Sequence, residues 1–177
     1  MKNPVTYLAL ILIISFPASC SDREAVDELA ALNEKAALEQ KNMELVRHCL
    51  EELNSRNLDI LEEILDEDYK LYSPSNNPKP LLKEDMPGFI EQGLAAFPDL
   101  KYNIESIMAS GEKVAVRMVT TGTHQNDFME YPASGNKIAI SSTIIYRLKD
   151  GKIIEEREDA DLLGFTQQLE KEPQPAE

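Results

Sequence analysis

The stretch Gly122-Thr123-His124-Gln125-Asn126-Asp127-Phe128-Met129-Glu130-Tyr131-Pro132-Ala133-Ser134-Gly135 lies between two strand-like runs, 114–121 and 138–148. In those runs apolar residues recur with the period of two that marks a half-buried strand. The stretch between them reads as a long connection joining paired strands, and it carries one of only two histidines in the chain. Loops held on a rigid scaffold are where binding and catalytic groups concentrate.

Outward from this loop the elements fall into order. Downstream, Lys149-Asp150-Gly151 is a hairpin turn, since Asp-Gly tolerates the left-handed backbone that tight turns need. It leads into a strand over 152–160, a closing helix over 162–170 and a tail with two prolines. Upstream, Ser110-Gly111-Glu112 turns back to a strand over 102–108. Before Phe97-Pro98-Asp99-Leu100 the period is close to 3.6: helices are predicted over 44–54, 60–65 and 83–97, with a brief strand over 69–72. Asn57 or Asp59 supplies the second helix with a cap, and Pro87 sits near the start of the third, where a missing N–H costs little. Helices first and an antiparallel meander after them predict an α+β fold, with helices covering one face of a curved antiparallel sheet.

The 177 residues carry a net charge of −14 with no offsetting basic patch. Nucleic-acid binding depends on clustered Lys and Arg displacing counterions, so that function class is excluded. Residues 1–20 read as an export signal: Lys2, an unbroken apolar run over 8–14, then Pro17-Ala18-Ser19-Cys20. The ending resembles a bacterial lipobox, in which Cys20 is lipidated and anchors the protein to a membrane of the cell envelope. Pro17 stands where that pattern has an aliphatic residue, and an ordinary secretory signal is the alternative. Residues 21–42, rich in Ala, Glu and Lys, form a helical stalk or, alternatively, a coiled-coil partner helix. The domain spans 43–170 and residues 171–177 are a disordered tail. Cys49 falls at helical spacing with Val46, Leu50 and Leu53 and reads as core.

Several motifs are shared with a known family. These are Asn57-Leu58-Asp59, Phe97-Pro98-Asp99-Leu100, Gly122-Thr123-His124 followed by Phe128 and Pro132, Ser134-Gly135, and Asp150-Gly151-Lys152-Ile153. Asp161 follows, then Leu163-Gly164 and Gln168-Leu169. In this order the chain resembles the SnoaL-like polyketide cyclases, or ester cyclases, of the nuclear transport factor 2-like superfamily. The resemblance implies a cone-like barrel around an apolar pocket, and acid/base catalysis by a pocket carboxylate and a nearby histidine without cofactor or metal. Asp161 matches that carboxylate and His124 that histidine. The chain departs from the family pattern at Arg157, where Trp is common, and at Tyr72, where His or Asn is. Asn126 and Glu130 replace two loop glycines.

Each of these roles has a rival. On a strand Arg157, Asp159 and Asp161 share one parity; if that face lines the cavity, Arg157 holds Asp161 ionised. Asp161 is otherwise the cap of the helix that starts at Leu162. His124 is a pocket group or an idle, hydrogen-bonded polar residue at the loop entrance. Tyr72, Arg117, Phe128 and Arg157 are the substrate-binding candidates; Arg117 faces either cavity or surface, and Phe128 helps shape the pocket rim. No metal-ligand spacing occurs, since His48 and His124 lie far apart. Three functions follow: a cofactor-free enzyme acting on a small hydrophobic ester or carbonyl compound, an envelope module that holds such a molecule unchanged, and an interaction protein that forms a homodimer through its open sheet face.

Overall fold

From Cys20 to Asn54 the sequence contains no Gly or Pro, and helix α1 (Cys20–Asn54) runs through it without a break. The computed structural model describes residues 20–170, with side chains from Arg23 onward. The expected export signal, the Cys20 side chain and the expected tail from residue 171 lie outside the described residues. The chain divides into two compact units, Met1–Glu34 and Lys35–Glu177. In the first, Val26, Leu29 and Leu32 of α1 are exposed. Among the described residues no helix is long and apolar enough to cross a membrane.

In the second unit, Val46, Cys49, Leu50 and Leu53 line the buried face of α1. They join Ile60, Leu61 and Ile64 of α2 (Ile60–Ile64) in the main core. The expected side-chain cap of α2 is absent: Asp59 makes no capping bond. Asn57 Oδ1 instead accepts the Asp59 N–H at 3.2 Å, a local turn that competes with capping. Strand β1 (Leu65–Tyr72) follows directly, then a two-residue strand β2 (Leu81–Leu82) too short to leave a periodic signal. A 3₁₀ turn (Lys83–Asp85) leads into α3 (Met86–Ala96), with Pro87 in its first turn as expected. Lys83, buried, reaches Glu67 at 2.8 Å and Glu62 at 3.1 Å and ties this turn to α2 and β1.

Strands β3 (Lys101–Ser110), β4 (Lys113–Thr123), β5 (Lys137–Lys149) and β6 (Lys152–Ala160) form the meander, and α4 (Leu162–Glu170) closes the chain. The sheet has six strands in the order β2-β1-β6-β5-β4-β3. It is curved, open and mixed rather than wholly antiparallel, because β1 pairs in parallel with β6. Parallel neighbours require a long crossover; here everything from β2 to β5 intervenes. Asn54, at the end of α1, clamps the edge strand: its amide donates to Tyr102 O and accepts from Tyr102 N, at 2.9 and 2.8 Å.

One irregularity decides what faces inward. The β5–β6 turn places Asp150 and Gly151 at φ 51° and 77°, the hairpin conformation expected of Asp-Gly. The register pairs Leu148 with Ile153 but Arg147 with Glu155, so Ile154 is an extra residue bulged out of β6. Past the bulge the parity is reversed, and Glu156 stands opposite buried Tyr146 and Glu158 opposite buried Ile144. Val114, Val116, Tyr146, Leu148 and Ile153 of the inner face are fully buried beneath the helices. Glu156, Glu158, Ala160, Thr120 and Ile140 on the same face are only half-buried. The helices therefore cover these positions less completely than the rest of the inner face.

A second, smaller core gathers Ala96, Phe97, Leu100, Ile138 and Leu169 around the loop after β4. Gly122 is required there, because a Cβ on it would lie 3.2 Å from Phe97 Cβ and 3.5 Å from Leu100 Cα.

Candidate acid–base site

His124 is fully buried and fixed at the start of its loop by paired backbone bonds. Its N–H donates to Asn136 O, and its carbonyl accepts from Gly135 N, both at 2.9 Å. The ring stacks on Phe97 at 5.1 Å between centroids, and Phe128 and Phe165 complete the aromatic cluster. Nδ1 accepts the Ser134 N–H at 3.3 Å and lies 3.0 Å from Ser134 Oγ. That assigns the ring proton of the neutral imidazole to Nε2, which has no hydrogen-bond partner. Burial lowers the His124 pKa, with Asp127 opposing. The neutral ring thus anchors the loop, and Phe128 packs beside it.

Asp161 is exposed and occupied locally. Its carboxylate accepts the Gly164 N–H at 2.8 Å, and its carbonyl accepts from Phe165 N, the arrangement of a helix N-cap on α4. Gly164 leaves room for that cap, since a Cβ there would collide with the Asp161 carboxylate. Asp161→Ala is expected to cost about 1 kcal/mol of stability and Asp161→Asn, a good cap itself, a few tenths. Equal losses on thermal denaturation would contradict the capping role.

Of the other expected site residues, Tyr72, Arg117 and Arg157 lie on the outer face of the sheet. The Arg157 guanidinium sits 4.2 Å over the Tyr72 ring, which neighbours it in register, and donates to Ser75 O at 2.8 Å. Its ion-pair partner is Glu155 at 3.1 Å, not Asp161. Asp159 accepts from Ser75 N at 3.1 Å, and the Ser75 hydroxyl together with this N–H holds its carboxyl below the usual range. The condition that this parity lines the cavity is not met, because the bulge at Ile154 turns it to the outer face. Arg117 is exposed and pairs with Glu105 at 3.2 Å. A groove of about 380 Å³ beside Tyr72 belongs to this outer face and is lined mostly by charged side chains, among them Lys70, Arg147 and Glu155.

The inner face holds carboxyls that the sequence reading missed. Glu156 lies within electrostatic reach of Tyr69, Tyr102, Tyr146 and Cys49. Burial pushes its carboxyl up to about 8; the Tyr69 hydroxyl beside it pulls the other way and Glu158 adds to the rise. Burial also raises Glu158, against the Ser73 and Ser142 hydroxyls that hold it down. Ser73 Oγ meets Glu158 Oε2 at 3.0 Å. The Tyr69 and Ser142 hydroxyls are buried without a hydrogen bond of acceptable geometry, close though each is to a carboxyl. Among the described residues no cation forms an ion pair with either carboxyl. Cys49 is buried and its thiol is pushed up by that burial, which keeps it protonated and in the core. A carboxyl poised near neutrality on a half-open floor can give or take a proton. The available sequence signal was Glu156 and Glu158 at strand spacing, two residues apart.

The model of the SnoaL-like polyketide cyclase family matches residues 44–169. The chain belongs to that family. Among solved structures, a SnoaL-like polyketide cyclase homologue from Jannaschia sp. CCS1 shares the fold at TM-score 0.69 and 24% identity, over 77% of this chain and 96% of that one. AclR from Streptomyces galilaeus, a proposed hydroxylase, superposes at 0.68 with 28% identity over 76% of this chain and 99% of AclR. IdmH from Streptomyces antibioticus, a proposed polyketide cyclase, gives 0.65 with 26% identity over 72% and 97%. No curated protein sequence matches the chain. The SnoaL-like domain accounts for the helices on an open, curved sheet and for the floor that carries Glu156.

Proposed function

We propose that this SnoaL-like domain transfers protons to and from a small hydrophobic ester or carbonyl compound, with the Glu156 carboxyl as the exchanging group. Glu156 carries the reading because it combines an inward-facing, partly covered position with a carboxyl that burial raises to about 8. Protonated, it donates to a carbonyl oxygen; ionised, it accepts a proton from the adjacent carbon. Glu158 supplies a second carboxyl, and the Tyr69 hydroxyl lies beside Glu156. Asp161 and His124, the pair implied by family resemblance, serve here as the cap of α4 and the anchor of the loop. The test is deuterium incorporation from heavy water into a panel of hydrophobic esters and ketones, followed by mass spectrometry. Protein-dependent labelling is expected, and its absence across the panel contradicts the proposal.

Ligand holding without turnover is the second reading, and the use of Asp161 as a cap favours it. It predicts a co-purified compound that native mass spectrometry finds released intact and unlabelled.

The envelope location is likewise proposed, on the strength of Ala18-Ser19-Cys20 after an apolar run. Cys20→Ser is expected to move the protein from the membrane to the soluble fraction; unchanged fractionation contradicts lipidation at this cysteine.

A further inference from the structure

The chemistry of the floor around Glu156 selects among hydrophobic ligands by charge. Glu156 and Glu158 project from one face of β6, two residues apart, which sets their backbones about 6.6 Å from each other. Carboxyls in a partly desolvated site need a compensating partner or lose their charge, and among the described residues no lysine, arginine or histidine supplies one. Among the described residues, the polar groups beside these carboxyls are hydroxyls and the Cys49 thiol. Two of the hydroxyls, Tyr69 Oη on a residue 1% exposed and Ser142 Oγ on a residue 3% exposed, lie beside these same carboxyls without a hydrogen bond of acceptable geometry among the described residues. Tyr146 stands across from Glu156 in the sheet, and Tyr102 belongs to the same electrostatic cluster. Aromatic faces and carboxylates together recognise organic cations. No group of three His, Cys, Asp or Glu among the described residues is arranged to hold a metal ion.

We propose that this floor receives a hydrophobic ligand bearing a primary amine, its ammonium seated between Glu156 and Glu158 and bordered by the tyrosines. The proposal rests on the reading of Glu156 as the interior functional group and narrows its substrate class. An ammonium nitrogen donates an N–H to a carboxylate on either side at about 2.8 Å, which the strand spacing allows. Seating it favours the ionised form of both carboxyls, so the Glu156 proton passes to solvent as the amine binds. A carboxylate ligand meets like charge from both glutamates there and is rejected.

The experiment compares three probes on one scaffold, 2-(2-naphthyl)ethylamine, 2-(2-naphthyl)ethanol and 2-naphthylacetate, by calorimetry at pH 7 in two buffers of different ionisation enthalpy. Backbone amide spectra map each contact. The amine is expected to bind at least tenfold more tightly than the alcohol, with shifts at Tyr146, Glu156 and Glu158 and release of a proton seen as a buffer-dependent heat. The acid is expected not to bind, and Glu158→Gln to weaken the amine about tenfold while leaving the alcohol unchanged. If the alcohol binds the floor as tightly as the amine, or the acid binds at all, the charge preference is overturned while the Glu156 site stands. If none of the three shifts the residues around Glu156, both the preference and the interior site fall.

Discussion

Replacing Glu156 with Gln is expected to abolish proton exchange with any carbonyl compound the protein labels, a loss of at least a hundredfold, while making the protein more stable above pH 8. Both effects come from the same burial. General acid/base groups contribute about 10²–10⁴-fold, and an amide cannot exchange the proton. The stability effect follows from where the proton is bound. The Glu156 carboxyl titrates near 8 in the folded chain and near the ordinary 4.5 when unfolded. Between those values the folded protein holds a proton that the unfolded chain has lost, so this residue's contribution is fully present below pH 4.5 and disappears as pH rises through 8. Glutamine keeps the neutral shape without the ionisation cost. Urea denaturation at pH 9 is expected to show Glu156→Gln more stable than the parent by roughly 2 kcal/mol, shrinking to nothing near pH 4. A variant that is less stable at both pH values places the carboxylate in an ion pair and removes the basis of the proposal.

His124→Ala is expected to be the most destabilising single change in the loop, at about 3 kcal/mol. It removes a fully buried ring stacked on Phe97 and leaves the Ser134 N–H without its acceptor. The sign of its pH dependence is opposite to that of Glu156. Burial depresses the folded pKa of His124 below the unfolded value of about 6.5, so the neutral ring stabilises fully above that pH and the contribution is lost as pH falls. The variant is therefore expected to lose the downturn in stability below pH 6.5 that the parent shows. Chemical denaturation between pH 5 and 8 measures both; a loss below 1 kcal/mol, or an unchanged acid limb, contradicts the anchoring role.

The helices and the meander were legible because their periods are strong: Val46, Cys49, Leu50 and Leu53 recur at helical spacing, and Val114, Val116 and Met118 alternate. The parallel pairing of β1 with β6 was not, since nothing local in residues 65–72 says which distant strand they join. The inner carboxyls were missed for a sharper reason. Continuing the alternation from Ile153 puts Glu155, Arg157, Asp159 and Asp161 on the inner face, and a one-residue bulge at Ile154 exchanges them for Glu156 and Glu158. Strand periodicity is two, so a single extra residue reverses every side chain beyond it. The loop histidine was found for its rarity, yet its role is fixed by the aromatic residues from α3's end and α4, which no sequence spacing brings together.

The direct test of the account is the titration of the Glu156 side-chain carboxyl carbon by nuclear magnetic resonance, in protein labelled at glutamate. A midpoint near 8 is predicted for Glu156 in the ligand-free protein. A midpoint near 4.5, that of an ordinary solvated glutamate, would show that the carboxyl is not held in the desolvated floor of the sheet and would contradict the account.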